Sequence, residues 1–411
     1  MFRAGLWRQP DFLKLWTGQT VSQIGSSIST LGIPLTALYL LRATPRQMGL
    51  LSGAGGAAIL IFGLFAGAWA DRLRRRPILI FSDLGRAALL ATIPLAAAFH
   101  RLTMGHLYLL AASTGILTVF FDAGYQAYLP SLIAREQLVE GNSKLALSAS
   151  TAEIAGPGLT GALISLMTAP AAILFDAVSF LFSGLSILLI RKPEPKPVPA
   201  PQPHLLREIA EGLRACGREP VLRALALRSG TAAFCLGFIG SLYMIFVVQE
   251  LHVSAVLLGG IISIGGASSL AGTLVAARMM RLFGPGRTLI GASLTTATAF
   301  LLVLAAHGPV TECLIFLGTS QLFDAAWSIY NITEQSLIQA IAPPHLLGRV
   351  SSALHLLFRG VMPAGAVVGG LLAESLGVRQ TMFAGTLGFL ASTLWLVFSP
   401  VRDLREMPAP S

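Results

Sequence analysis

The turn between two long apolar runs, residues 48–70 and 77–99, constrains this chain more than any other feature. Each run is long enough to cross a bilayer as a helix at about 1.5 Å rise per residue. The intervening residues 71–76 carry one aspartate and four arginines. So many charges cannot lie in lipid, and the arginines place this turn on the cytoplasmic side of a membrane.

Apolar runs of similar length recur along the whole chain. Charged residues make up 12% of the 411 residues, about half the roughly 25% that is typical of soluble globular proteins. We therefore predict an all-α integral membrane protein with twelve membrane-spanning helices. The predicted spans are residues 12–41, 48–70, 77–99, 104–129, 145–167, 169–190, 221–249, 255–277, 288–306, 309–338, 350–373 and 378–399.

The net charge of +10 is typical of a protein that binds nucleic acid, but the distribution of the basic residues argues against such a partner. Of 29 lysines and arginines, 22 fall in the N-terminal segment, the even-to-odd loops, the middle segment and the C-terminal tail. This asymmetry predicts that both termini are cytoplasmic and that the excess charge faces anionic lipid of the plasma (inner) membrane. The three cysteines and seven histidines show no metal-ligand spacing, so we predict no metal and no cofactor.

A weak internal repeat at an offset of about 205–210 predicts two pseudo-symmetric six-helix bundles. The matching pairs include Tyr125-Gln126 with Tyr330-Asn331, and Gly67 with Gly272. The predicted division is an N-terminal bundle 1–191, a cytoplasmic linker 192–219, a C-terminal bundle 220–400 and a cytoplasmic tail 401–411. The linker begins with alternating prolines, which favour an extended tether, and continues into an amphipathic pattern that predicts a helix at the inner leaflet.

Polar side chains recur at helical spacing inside several predicted spans, where they are costly unless they face protein or water. Hydrogen bonding between helices is the alternative to a cavity for the serines and threonines. The first span carries Gln19, Gln23 and Ser26, and the tenth carries Asp324 and Asn331. The fourth span carries Asp122 and Gln126. The corresponding stripe of the seventh span includes the aromatic Phe238.

Acidic residues within the spans are the candidates for ion coupling, because a buried carboxyl group can take up and release a proton. Asp122, Glu153 and Asp324 are predicted proton carriers, with an ion pair to Arg359 as the competing role for one of them. Asp83 lies three residues before Arg86 and predicts a local ion pair instead.

The turn described above resembles the signature loop between helices 2 and 3 of the major facilitator superfamily, through Gly67, Asp71, Arg72, Arg75 and Arg76. This resemblance implies that the loop latches the two halves on the cytoplasmic side. It also implies that the first, fourth, seventh and tenth spans line a central cavity. The implied substrate residues are Gln19, Gln23, Ser26, Gln126, Phe238 and Asn331.

Segments 120–143 and 330–374 resemble the drug and siderophore exporter branch of this superfamily, which includes macrolide efflux proteins. Gly156-Pro157 resembles the motif of the exporters' fifth helix, where proline removes a backbone hydrogen bond and glycine allows close approach, so we predict a hinge. The resemblance implies proton-coupled efflux of a bulky amphipathic small molecule, such as a drug, by alternating access.

Rival classes fit the sequence less well. An ATP-driven pump needs a phosphate-binding loop and a metalloenzyme needs clustered ligands, and neither motif occurs, so we predict a transporter rather than an enzyme. Export of an endogenous siderophore or metabolite, movement of lipid, and a non-transporting membrane sensor remain as alternatives. The predicted partners are a small molecule, protons and the bilayer, with no nucleic acid and a monomeric state.

Overall fold

The computed structural model describes residues 5–70, 73–194 and 205–408, and the regular structure in these ranges is helical. The first six helices are α1 (Pro10–Tyr39), α2 (Pro45–Ala70), α3 (Arg75–Ala98), α4 (Met104–Leu132), α5 (Leu138–Leu166) and α6 (Ala169–Leu188). They are followed by α7 (Leu205–Arg218), α8 (Pro220–Ile245), α9 (Ala255–Phe283), α10 (Pro285–Ala305) and α11 (Val310–Leu322). The last helices are α12 (Asp324–Ile341), α13 (Leu347–Leu376), α14 (Val378–Ser392) and the short α15 (Leu394–Val397).

Local sequence signals set many of the helix starts. Proline occupies the first helical position of α1, α8 and α10, where its missing N–H costs no intrahelical hydrogen bond. The side chains of Thr103, Thr168 and Ser254 accept backbone hydrogen bonds at the starts of α4, α6 and α9. Gly284 and Gly377 precede α10 and α14 with φ of 78° and 91°, values that a residue without a Cβ adopts readily.

Eight helical segments of the described chain are long and apolar enough to cross a membrane, judged by length and composition. They are α3, α4, α6, α8 with the π-helical turn that follows it, α9, α10, α13 and the α14–α15 pair. The other four predicted spans coincide with α1, α2, α5 and the α11–α12 pair. Within the span predicted over 309–338, Phe323 separates α11 from α12.

The chain divides into two compact units. The N-terminal unit comprises Met1–Ala43, Ala54–Pro203 and Leu258–Gly260, and the C-terminal unit comprises Thr44–Gly53, His204–Leu257 and Ile261–Ser411. Small residues allow close helix packing within each unit. Gly18 of α1 lies against Ser183 and Ser186 of α6, and Gly385 of α14 lies against Phe238 of α8.

The amphipathic helix α7 packs against α8 and α13 of the C-terminal unit. Glu211 on its polar face forms an ion pair with Arg349 of α13 at 2.5 Å. Cys216 on the opposite face is buried in the apolar core, and this burial raises the pKa of its thiol to about 11. The predicted proline-rich tether lies mostly outside the described residues, which resume at Leu205.

Candidate functional site

Arg86 of α3 is an arginine buried inside the N-terminal unit. Its Nη2 atom donates a hydrogen bond to Oδ1 of Asp83 at 2.5 Å, which confirms the predicted ion pair. Its guanidinium also lies over the rings of Phe121 and Phe180, 4.4 and 4.1 Å from their centroids. The exposed fractions are 6% for Arg86 and 0% for Asp83, so this pair is shielded from solvent. The aromatic faces and the carboxylate together offset the cost of burying the guanidinium.

Two further carboxylates lie within electrostatic range of Arg86, those of Asp122 on α4 and Asp176 on α6. Asp176 accepts hydrogen bonds from the hydroxyls of Ser29 on α1 and Ser179 on α6. Within the described part of this unit, three carboxylates therefore share one guanidinium. Asp83 and Asp176 are buried, whereas Asp122 is exposed, and the carboxylates of this cluster outnumber its guanidinium.

The predicted cavity residues of α1 and α4 occupy different environments. Asp122 and Gln126 are one turn apart on an exposed face of α4. Gln19 is buried and donates a hydrogen bond to the Ser183 hydroxyl of α6 at 3.3 Å. Gln23 and Ser26 are half-buried on α1. Gln19 therefore contributes to packing between α1 and α6, whereas Asp122 and Gln126 lie on the surface of the unit.

The fifth helix carries the remaining predicted residues of the N-terminal unit. Glu153 is exposed on α5, unlike the buried Asp83 and Asp176. Gly156 and Pro157 are buried within the same helix, which continues through the proline to Leu166. A Cβ atom at Gly156 would overlap the side chain of Ser27, so glycine permits close approach of α5 to α1 at this level.

The signature loop is described in part. Gly67 falls in the last turns of α2, and Asp71 and Arg72 lie outside the described residues. The backbone N–H groups of Arg75 and Arg76 donate to the two carboxylate oxygens of Glu194 at 2.6 and 3.1 Å.

The Arg76 guanidinium reaches the C-terminal end of α6. Its Nε and Nη2 atoms donate to the carbonyl oxygens of Ile187 and Leu188 at 3.3 and 2.7 Å. These carbonyls lie at a helix terminus, where a cation is stabilised by the helix dipole. Arg76 and Glu194 thus tie the start of α3 to the segment that follows α6.

The C-terminal unit has its own buried arginine, Arg228 of α8, which is 1% exposed. Its guanidinium lies 3.7 Å from the ring centroid of Tyr330 and 5.2 Å from that of Phe389. Its Nη2 atom donates to the Ser293 hydroxyl at 3.2 Å. Glu334 accepts a hydrogen bond from the Tyr330 hydroxyl at 3.2 Å and lies within electrostatic range of Arg228. One carboxylate here faces one guanidinium, so this cluster is balanced in charge.

The predicted residues of the C-terminal unit are spread over three places. Asn331 is exposed on α12. Phe238 is buried, and glycines of α13 and α14 pack closely against its backbone and ring. Asp324 is half-buried at the first position of α12 and lines a small cavity inside the unit. Phe238 thus contributes to helix packing within its unit, whereas Asp324 lines a cavity.

Sequence reasoning missed the interactions that join distant helices. The Ser29–Asp176 contact spans 147 residues, and nothing in a single sequence pairs the two positions. Arg228 was recognisable as an arginine inside an apolar run, and Tyr330 and Glu334 as an i, i+4 pair. An intramembrane arginine requires a nearby carboxylate or aromatic face, and this rule was the available signal for the second cluster.

Comparisons with known proteins agree with this architecture. Residues 15–366 match the family model of the Major Facilitator Superfamily. Macrolide efflux protein A of Streptococcus pyogenes is 26% identical over 409 residues, covering 96% of this chain and 97% of that protein. Multidrug efflux pump Tap of Mycolicibacterium fortuitum is 28% identical over 416 residues, covering 98% of each.

Solved structures show the same fold. A mutant form of the nucleoside transporter NupG superposes with a TM-score of 0.77 at 13% identity, covering 94% of this chain and 99% of that one. A bacterial homologue of the iron transporter ferroportin, in an inward-facing state, gives 0.73 at 16% identity, covering 95% and 98%. The predicted fold class is therefore confirmed, and the chain belongs to the major facilitator superfamily of multi-pass membrane transporters.

Proposed function

We propose that this protein exports bulky amphipathic small molecules, in the manner of a drug efflux pump, and couples export to proton entry by alternating access. The two full-length relatives described above carry the names of efflux proteins, one for macrolides and one for multiple drugs. The similarity extends over almost the whole of each chain, so both units are included in it.

The surplus of carboxylates around Arg86 is the observation that carries the coupling proposal. Asp83 and Arg86 compensate each other, and Asp122 and Asp176 lie within electrostatic range of the same guanidinium. Asp176 is held by two serine hydroxyls in the interior, whereas Asp122 lies on an exposed face beside Gln126. Protonation of Asp122 would remove its attraction to Arg86, so its charge state changes the electrostatics of the cluster. Asp122 is thus the carrier that the N-terminal unit favours.

The C-terminal unit offers Asp324 as a second carrier, while the exposed Glu153 is the third predicted candidate. Exposed polar side chains on α4 and α12, including Gln126 and Asn331, suit an amphipathic substrate. In this proposal the protein acts as a monomer. Both termini lie in the cytoplasm, because basic residues concentrate in the segments predicted to face that side. The loop that contains Asp71 would latch the cytoplasmic side.

A drug-accumulation assay in cells without their own efflux pumps tests this proposal. Cells that express the protein should accumulate less of a radiolabelled macrolide than cells with the empty vector. A protonophore should abolish the difference, and Asp122→Asn should reduce it strongly. The matched control is Asp403→Asn, which removes an exposed acid near the C-terminus. Unchanged macrolide accumulation, together with efflux of an endogenous siderophore or metabolite, would favour the alternative substrate class.

A further inference from the structure

A groove lies on the surface of the C-terminal unit, between the end of α9, the first half of α10 and the junction of α11 with α12. Its volume is about 430 Å³, within the roughly 300–1,000 Å³ that is usual for a small-molecule site. Apolar side chains provide most of its walls, among them Phe283 of α9, Leu322 and Phe323 at the junction, and Ile329 of α12. The groove therefore has the size of a ligand site and a mainly apolar surface.

Gly291 of α10 leaves the floor of the groove without a side chain. A Cβ atom at this position would meet no neighbouring atom within 4 Å, so the space above it is open. The opposite wall is held by Ser268 of α9, whose hydroxyl donates to the Leu322 carbonyl at 2.5 Å and accepts from the Ala325 N–H at 3.2 Å. These two bonds stabilise the break between α11 and α12 at Phe323, where backbone groups need other partners. The groove is thus bounded by helices that hold one another in place.

The guanidinium of Arg287 provides the charge of the groove. Arg287 lies in the first turn of α10, is exposed, and forms no ion pair or side-chain hydrogen bond within residues 5–70, 73–194 and 205–408. Among the described residues, no acid lines the groove. Its other polar side chains, Thr288 and Thr295, donate their hydroxyls to nearby backbone carbonyls. An arginine without a partner in an apolar groove favours a ligand that is apolar along its length and anionic at one end.

The surroundings of Arg287 are also positively charged. The Gly286 N–H donates to the Leu404 carbonyl at 3.2 Å, so the C-terminal segment packs beside the start of α10. Residues 276–287 and 400–408 together carry five arginines and two acids. Basic clusters at the membrane surface attract anionic lipid headgroups, and basic pockets between membrane helices bind them. The charge at this end of the groove is therefore complementary to a phospholipid phosphate.

The groove follows α10 from its first turn toward the interior of the membrane. Both α9 and α10 are long and apolar enough to cross a bilayer. Thr295, the lining residue of α10 farthest from Arg287, is eight residues further along the helix, which corresponds to about 12 Å. The turn before α10 belongs to the basic loops predicted to be cytoplasmic. Leu294 and Leu301 are exposed on the same helix, as expected of a face in contact with lipid. The arginine thus lies at the level of the headgroups, with the apolar groove beside the acyl chains.

We propose that this groove binds an anionic phospholipid of the inner leaflet as a resident ligand, with its phosphate at Arg287 and one acyl chain along Gly291 toward Thr295. A cationic drug is a poorer occupant, because the arginine repels it and no acid in the described lining attracts it. A soluble anion would contact Arg287 but leave the apolar walls unfilled. The bound lipid packs against α9, α10 and α12 together, so it stabilises the C-terminal unit.

Thermal unfolding of the purified full-length protein in detergent tests lipid binding without any transport. Phosphatidylglycerol and phosphatidylcholine with identical acyl chains are added at equal concentrations, and inorganic phosphate is added in a third arm. A ligand that binds the folded state alone raises the melting temperature. We expect phosphatidylglycerol to raise the melting temperature of the wild type by roughly 2 °C or more above its value in phosphatidylcholine, and inorganic phosphate to leave it unchanged. Equal effects of the two lipids, or an equal rise with inorganic phosphate, would overturn the proposal.

Two variants assign the effect to this groove. Gly291→Leu places a side chain in the open floor and should lose most of the response to phosphatidylglycerol. Arg287→Gln should respond equally to both lipids, because it keeps the apolar walls and lacks the cation. The matched controls are Gly318→Leu on α11, where a Cβ atom also meets no neighbour within 4 Å, and Arg223→Gln on α8, an exposed arginine outside the groove. Both controls should respond like the wild type, and a full response in Gly291→Leu or Arg287→Gln would overturn the site.

Photo-crosslinking of the wild type keeps the test decisive if Gly291→Leu does not fold. A phosphatidylglycerol analogue with a photoreactive group in one acyl chain is added to the purified protein, and the labelled peptides are identified by mass spectrometry. We expect labelling within residues 279–295 and 322–329, which line the groove. Excess phosphatidylglycerol should suppress this labelling and phosphatidylcholine should not. Labelling confined to other helices, or equal suppression by the two lipids, would contradict the proposal.

Discussion

Arg86 and Asp83 lie one turn apart on the same face of α3, and the 2.5 Å hydrogen bond between them is buried in the N-terminal unit. The pair is local in sequence, yet aromatic rings of α4 and α6 enclose it. Its partners therefore connect three helices, and a change at either residue affects the packing of all three.

Replacement of Arg86 by glutamine should destabilise the protein strongly. The substitution leaves the Asp83 carboxylate buried without its cation, and breaking a buried pair typically costs about 3–5 kcal/mol. The double variant Asp83→Asn/Arg86→Gln removes both charges and should recover much of the loss. Melting temperatures of the three purified proteins check this prediction, and a double variant as unstable as Arg86→Gln would contradict it.

Asp122→Asn should uncouple transport while leaving the fold intact. Asp122 lies on an exposed face of α4, so the loss of its charge changes little in the packing of the unit. The variant protein should reach the membrane in normal amounts and should bind substrate. Export against a substrate gradient should fall at least about tenfold, as expected when a positioned proton carrier is removed. Normal uphill export by this variant would assign the carrier elsewhere.

Arg228→Met should lower the free energy of unfolding, because it removes the buried guanidinium that balances the charge of Glu334 in the C-terminal unit. Glu334 would lose its cation, and Tyr330 would lose the guanidinium stacked 3.7 Å from its ring centroid. We expect a loss of about 3–5 kcal/mol, with partial recovery in Arg228→Met/Glu334→Gln. Arg223→Met is the control, because Arg223 lies on the same helix with an exposed side chain. Denaturant unfolding compares the four proteins.

Asp11, at the N-terminal end of α1, should make the stability of the fold depend on pH in the acid range. Partial burial opposes ionisation of Asp11, but hydrogen bonds from Lys14 and from the N–H groups of Arg191 and Lys192 prevail and lower its pKa below the ordinary value of 3.8. A lowered folded-state pKa stabilises the fold above pH 3.8, and this contribution disappears as the pH falls through the folded-state pKa. The melting temperature of the wild type should therefore fall more steeply in acid than that of Asp11→Asn. Parallel curves would contradict this contribution.

Glu194→Gln should loosen the attachment of the chain after α6 to the start of α3. The carboxylate accepts from two backbone N–H groups at a helix N-terminus, where a negative charge typically adds about 0.3–1 kcal/mol. We expect faster amide hydrogen exchange at Arg75 and Arg76, while exchange in α4 stays unchanged. Equal exchange rates at these residues in the wild type and Glu194→Gln would show that the carboxylate does not hold the start of α3.

Much of the architecture could be predicted from the sequence because the bilayer imposes simple rules on length and polarity. The runs that form α3, α4 and α6 are apolar enough to recognise, and prolines mark the starts of α1 and α8. The Asp83–Arg86 pair was predictable because both residues belong to one helical turn. Signals of this kind act within a few residues of one another.

The features that escaped prediction depend on contacts between distant segments. The break at Phe323 is maintained by Ser268, which lies more than 50 residues earlier in the chain. Asp324 therefore appeared to continue a regular polar stripe, whereas it begins a new helix. Glu153 was predicted to be a buried acid in mid-span, yet its side chain is exposed. Helical spacing alone does not determine which face of α5 turns toward the rest of its unit.

Substrate-driven proton movement in proteoliposomes tests the central proposal of proton-coupled export most directly. The purified protein is reconstituted with a pH-sensitive dye in the lumen, and a macrolide gradient is imposed without any initial pH difference. Outward or inward flow of the macrolide should drive protons in the opposite direction, and Asp403→Asn should behave like the wild type. Macrolide flux with no accompanying proton movement would contradict proton coupling.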